Sequence, residues 1–124
     1  MKQQVHILTT GGTIEKSYCE VDGSVKNMES QLKTRLIGRL RLPHTDFHVQ
    51  EVMAKDSLDM TARDREVIFQ HLKKLWKDRV PIVTLHGTDT MEQTLRYCYQ
   101  KLSRPPVPVI FTGAMIPAGF EDSD

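Results

Sequence analysis

The sequence has 124 residues, the length of a single domain. It is 39% hydrophobic and 27% charged with a formal net charge of +1, so it lacks the basic excess of a dedicated nucleic-acid binder. No apolar run approaches the roughly 18–20 residues of a membrane helix. Met1-Lys2-Gln3-Gln4 leads into a short apolar run with no long leader-like core and no small-residue cleavage site, so a cytoplasmic setting is expected.

Val5 to Thr10 is a short, β-branched run closed by Gly11-Gly12, which predicts a buried strand ending in a tight loop. Glu15 to Asn27 is polar, contains Gly23, and reads as a long mobile loop. Met28 to Leu40 spaces Leu32, Leu36, Ile37 and Leu40 along one side of a helix, with Pro43 beyond it. Its basic residues Lys33, Arg35 and Arg39, with Arg41, read as a solvated face rather than a phosphate-binding stripe, because no aromatic residues interleave. Phe47 to Met53 alternates apolar and polar residues, the pattern of a half-exposed strand.

Thr61 is the expected cap of a helix whose Val67, Ile68, Leu72, Leu75 and Trp76 recur at helical spacing. Pro81 to Leu85 predicts a second buried strand. Asp89-Thr90-Met91-Glu92 opens a further helix in the manner of a capping box, with Met91, Leu95, Cys98 and Leu102 as its apolar stripe. Val107 to Thr112 is the last strand, ending at Gly113. The order β–α–β–α–β–α–β implies right-handed crossovers and a parallel sheet covered on both faces. Cys19 and Cys98 are far apart and form no paired framework, so two reduced thiols are expected. The five histidines are scattered, and no metal or cofactor is expected.

Open parallel sheets bind ligands at the carboxyl ends of their strands. Here those ends carry Thr10-Gly11-Gly12-Thr13, Lys55-Asp56-Ser57-Leu58-Asp59, His86-Gly87-Thr88-Asp89-Thr90 and Thr112-Gly113-Ala114-Met115. All four are rich in hydroxyls, carboxylates or glycines, which suits a small polar molecule. The first admits two readings: a plain turn with a structural threonine, or a nucleophilic hydroxyl beside backbone N–H groups that stabilise an oxyanion. It is neither a dinucleotide fingerprint nor a Walker loop. For Asp89 the readings are a helix cap completed by Glu92 and a carboxylate holding an ammonium group. One side chain can serve both.

Thr9-Thr10-Gly11-Gly12-Thr13-Ile14, Asp56-Ser57-Leu58-Asp59-Met60-Thr61, Leu85-His86-Gly87-Thr88-Asp89-Thr90-Met91-Glu92 and Val109 to Pro117 together resemble four segments of the L-asparaginase family, in family order. The resemblance spans nearly the whole chain. It implies an α/β, three-layer, flavodoxin-like fold like that family's N-terminal domain. It further implies hydrolysis of L-asparagine to L-aspartate and ammonia, with Thr13 as nucleophile and with Thr88 and Asp89 as a relay pair. Ser57 would bind the substrate's α-carboxylate and Asp89 its α-ammonium, and the Ala114 carbonyl would contact the amide. Gly12 and Gly87 would line the substrate, and Glu15 to Asn27 would form a lid with Tyr18 as its tyrosine.

Three departures accompany the resemblance. Leu58 stands where many members have glutamine, and Glu15-Lys16 differs from the small residues often found there. The family's relay lysine lies beyond the Gly-Ala-Met segment, and no lysine follows Lys101 in this sequence. The chain is therefore expected to be one N-terminal-like domain over residues 1–124, incomplete at its C-terminus and without the family's C-terminal domain. A homo-oligomer is expected, since an edge strand and apolar helix faces are left to cover. The alternatives are a related amidase acting on glutamine or serving a tRNA amidotransferase, and a non-catalytic amino-acid-binding module.

Overall fold

The computed structural model describes residues 3–11, 16–18, 25–27, 43–102 and 104–113, with the backbone alone for 16–18 and 25–27. The helix expected over Met28 to Leu40, and Gly12, Thr13, Cys19 and Ala114, lie outside the described residues. Eight regular elements are described. They are β1 (Gln3–Thr9), β2 (Lys16–Tyr18), β3 (Val25–Asn27), β4 (Thr45–Glu51), α1 (Ala62–Leu75), β5 (Ile82–Leu85), α2 (Met91–Lys101) and β6 (Val109–Thr112).

β1, β4, β5 and β6 form one parallel sheet in the order β4-β1-β5-β6. That order is flavodoxin-like: the chain moves one way from β1 to β4 and the other way from β4 to β5 and β6. Right-handed crossovers require α1 and α2, which serve connections running in the same direction, to cover the same face. The packing agrees. Leu8 and Ile82 of the sheet, Ile68, Phe69, Leu72 and Trp76 around α1, Cys98 of α2 and Val107 form the main core. Each large side chain buried there contributes about 2 kcal/mol. The opposite face carries a smaller cluster of Ile7 and Leu85 with Val5, Phe47, Val49 and Val83 packed against it.

α1 starts as its sequence predicts. The Thr61 hydroxyl accepts from the Asp64 N–H at 3.2 Å, and the Asp64 carboxylate accepts from the Thr61 N–H at 2.9 Å. Lys55 Nζ also reaches that carboxylate, at 2.9 Å. The helix runs into a single 3-10 turn over Trp76–Asp78, and Arg79 ends it in the left-handed region at φ 59°.

Two expectations are corrected. The polar stretch from Glu15 to Asn27 is not wholly irregular: β2 and β3 pair antiparallel, with Ser17 opposite Lys26. Three-residue polar strands have no apolar face, so periodicity carries no trace of them. The buried face of α2 is also rotated from its predicted stripe. Thr94 and Cys98 are buried, whereas Leu95 and Leu102 are exposed. The cause is tertiary: Thr94 is turned inward by hydrogen bonds to other elements, and β6, next to α2, is an edge of the described sheet. No described helix is long and apolar enough to cross a membrane.

Candidate active site

The chain reverses its direction along the sheet between β1 and β5, and the site is built at the carboxyl ends of these two strands. Leaving β1, the Thr10 hydroxyl and the Thr10 N–H both donate to Leu85 O, at 2.7 and 3.2 Å. On the other side Thr9 O accepts from the Val52 N–H at 2.8 Å, and Thr10 O accepts from the Lys55 N–H at 3.0 Å. The end of β1 is thus tied to the segments following both neighbours. Gly11 continues at φ +102°, and a Cβ there would lie 2.5 Å from the backbone N and O of Lys55. Only glycine passes this point without strain. It delivers the chain to Gly12 and Thr13, which lie outside the described residues.

Lys55 opens the second segment, and Ser57–Asp59 form a single 3-10 turn. Ser57 is fully buried, and its hydroxyl has no hydrogen-bond partner among the described residues. An unmet buried hydroxyl costs about 1–3 kcal/mol; those of Thr9 and Thr84 share this state within β1 and β5, and Ser57 has it in a loop segment. Gly87, from the loop after β5, lies flush against it: a Cβ there would come within 2.7 Å of both Ser57 Cβ and Oγ. The Thr90 hydroxyl donates to Ser57 O at 2.9 Å and locks the same two segments together. Thr88 and Asp89 stand exposed on the rim between these contacts.

The third segment corrects the expected helix start. Asp89 is not the cap of α2. Thr90 is, and its hydroxyl makes no cap bond but donates across to Ser57 O. Asp89 is therefore one residue outside the helix, exposed on the rim. The fourth segment joins through the backbone: the His86 N–H donates to Thr112 O at 2.9 Å. Leu58, the turn residue after Ser57, is exposed.

The structure so brings Ser57, Gly87 and the Thr88–Asp89 rim together, next to the chain that leads into Thr13. Tyr18 is described in backbone only, in β2, and Gly12, Thr13 and Ala114 lie outside the described residues. Among the described residues no group of three or more His, Cys, Asp or Glu side chains is arranged to hold a metal ion.

Beneath the rim lies a buried polar system that no sequence motif singles out. His86 is buried, with Nδ1 2.8 Å from Gly87 O and Nε2 2.7 Å from the Thr94 hydroxyl. Arg65 Nε donates to the same hydroxyl at 3.1 Å. Burial pushes the His86 imidazole below its ordinary value. The Gly87 carbonyl opposes that shift, and the Arg65 charge adds to it. The partners come from a strand end and two separate helices, so no local spacing announces them.

Comparison with known proteins gives one family. The sequence model of the family described as "Asparaginase, N-terminal" matches residues 4–124. The chain is 34% identical over 130 aligned positions to L-asparaginase 1 of Escherichia coli, covering 99% of this chain and 37% of that protein. It is 32% identical over 114 positions to a subunit of the glutamyl-tRNA(Gln) amidotransferase of Pyrobaculum aerophilum, covering 90% of this chain and 27% of the relative. Among solved structures, the thermostable L-asparaginase from Thermococcus kodakarensis superposes with a TM-score of 0.85 at 27% identity, over 98% of this chain and 37% of that one. The chain thus spans little more than a third of the length of the first of these relatives.

Proposed function

The chain belongs to the asparaginase family, and from that premise we infer that it carries the threonine nucleophile of an amidohydrolase site for L-asparagine. The observation that carries this reading is the buried Ser57 hydroxyl, without a partner among the described residues and packed on Gly87 beside the Thr88–Asp89 rim. A donor left unmet in the protein is one a ligand oxygen can satisfy. The Asp89 carboxylate on the rim complements an ammonium group. An α-amino acid carries both charges on groups bonded to one carbon, and Asp89 follows Gly87, the residue packed on Ser57, by two positions.

In the proposed reaction Thr13 Oγ attacks the side-chain amide carbon. The C–N bond breaks, ammonia leaves carrying the threonine proton, and water hydrolyses the resulting ester to aspartate. Thr88 relays the proton, and Asp89 orients Thr88 while binding the α-ammonium. Gly12 and Gly87 admit the substrate to close backbone approach, the Ala114 carbonyl contacts the amide, and Tyr18 belongs to the lid. The amidotransferase relative supports a second amide, glutamine, at the same site.

Two assays test the reading. Calorimetry should detect aspartate binding that Ser57→Ala weakens by about tenfold, the weight of one hydrogen bond to a charged group. Ammonia released from asparagine should vanish with Thr13→Ala. Aspartate affinity unchanged by Ser57→Ala, or ammonia release that survives Thr13→Ala, would remove the assigned roles. Faster release from glutamine than from asparagine would move the reading to the second amide.

A further inference from the structure

The hydrogen bonds around His86 have a forced direction. Gly87 O can only accept, so His86 Nδ1 carries the hydrogen of their 2.8 Å contact. Arg65 Nε can only donate, so the Thr94 hydroxyl accepts from it at 3.1 Å. The remaining hydrogen of Thr94 then goes to His86 Nε2, 2.7 Å away, because Met60 Sδ at 3.7 Å is the weaker acceptor. The chain of donors runs Arg65, Thr94, His86, Gly87.

The same Arg65 reaches the second segment of the site. Its Nη1 donates to Met60 O at 3.2 Å, and the Met60 N–H closes the Ser57 turn on Ser57 O at 3.2 Å. One cation thus holds the Ser57 turn with one arm and, through Thr94 and His86, the carbonyl of Gly87 with another. The His86 N–H to Thr112 O adds the end of β6. We propose that His86 is a positioning residue of this site: locked as the neutral Nδ1–H tautomer by the Arg65–Thr94 relay, it fixes Gly87 and with it the Thr88–Asp89 rim against Ser57.

For what the rim binds, the inference rests on the aspartate-type reading above; the locking itself does not. Protonation of His86 would turn Nε2 into a donor aimed at a hydroxyl that already accepts from Arg65. The Thr94 hydrogen would be left with Met60 Sδ, the weaker acceptor, and two cations would share one buried oxygen. Of the elements packed on the ring, α1 presents Arg65, α2 presents Thr94 and β6 presents Phe111, whose ring centroid is 6.3 Å away. Arg65 is the charged group among these, and burial acts with it to keep the imidazole neutral.

Two substitutions separate hydrogen bonding from space filling. The amide nitrogen of asparagine stands near the place of Nδ1 and that of glutamine near Nε2. His86→Asn should therefore keep the bond to Gly87 O, and His86→Gln should lose it. On the intact chain, amide exchange at Gly87, Thr88 and Asp89 is expected to rise about tenfold in His86→Gln and to stay within about threefold of wild type in His86→Asn. Ring nitrogen NMR of the wild type should show the Nδ1–H tautomer, with protection of the three amides, taken relative to their intrinsic exchange rate, falling as the imidazole is protonated at a pH below its ordinary range, and that loss absent in His86→Asn.

A purely space-filling role predicts the opposite order, because asparagine is the smaller side chain. That order, an Nε2–H tautomer, or protection that stays constant as the imidazole is protonated would overturn the proposal. The tautomer and pH measurements need no variant, so misfolding of either mutant leaves the test intact. Wild-type protein that shows the predicted tautomer and exchange yet binds no aspartate would fail the ligand reading alone.

Discussion

At the carboxyl ends of β1 and β5 polar side chains are buried, Thr10, Thr90, Thr94 and His86 bound to named partners and the Thr9, Thr84 and Ser57 hydroxyls unmet among the described residues; along the flank formed by α2 and β6, apolar side chains face solvent. Thr10, Thr90, Thr94 and His86 all lie below one-tenth exposure and all make hydrogen bonds across elements. Leu95 is 46% exposed, Tyr99 65% and Ile110 54%. Burial is usually bought with apolar surface, and here the polar residues hold the interior positions. A sheet end can do this because each strand termination leaves backbone carbonyls, such as those of Leu85, Ser57 and Gly87, for hydroxyl and imidazole donors. A helix flank offers no such acceptors, so its side chains depend on a covering surface. The site is geometrically determined by its own neighbours, and the flank is not.

The strongest way to break that contrast is at Gly11. Alanine there needs a Cβ 2.5 Å from the Lys55 backbone and a φ of +102°, and neither the peptide nor the dihedral can yield cheaply. Gly11→Ala is expected to cost about 3 kcal/mol or more in urea denaturation. A loss under about 1 kcal/mol would mean that the end of β1 is looser than its hydrogen bonds imply.

The legible and illegible parts of the sequence divide along a similar line. β1, β5 and α1 are readable because Ile7, Leu8, Ile82, Ile68 and Leu72 repeat at the period of their element and end up buried. Thr61 and Asp64 are readable because a capping box is contained within one turn. Asp89 misleads for the same reason: it satisfies the local rule for a cap, but Thr90 holds the cap and gives its hydroxyl to Ser57, 33 residues away. The Arg65–Thr94 bond spans 29 residues and the Thr10–Leu85 bond 75. Such pairs leave no period, so His86 reads only as one of five scattered histidines. The signature segments mark where the site lies, while the bonds holding it in shape emerge only from the fold.

A smaller effect sharpens the contrast from the side of the site. Asp64 caps α1 and pairs with Lys55, the residue against which Gly11 packs. The Lys55 side chain chiefly, with the Thr61 N–H, holds the Asp64 carboxyl below its ordinary value of 3.8. A carboxyl lowered in the folded state contributes stability that is present above 3.8 and is lost as pH falls through the lowered value. Thr61→Ala removes the hydroxyl half of the box and should cost about 1 kcal/mol at neutral pH. Denaturation followed below pH 4 should show the acid loss persisting, because the Lys55 contact remains. Lys55→Met should reduce that loss. An acid limb unaltered by Lys55→Met would uncouple the helix cap from the end of β1.

The smallest effect is expected on the flank. Tyr99 and Leu95 border an apolar groove of ≈ 170 Å³ whose inner wall is Phe69, Leu72, Trp76 and Phe111. With 65% of its surface in water, Tyr99 loses little burial when replaced, and Tyr99→Ser should change stability by no more than about 0.5 kcal/mol. Leu72, 1% exposed on the inner wall of the same groove, supplies the control: Leu72→Ala should cost about 3 kcal/mol. The two residues lie on one groove and differ chiefly in depth, so the ratio of their effects measures how far the flank stands open. If Tyr99→Ser cost as much as Leu72→Ala in solution, the outer side of α2 would be covered there, and the contrast with the closed strand ends would fall.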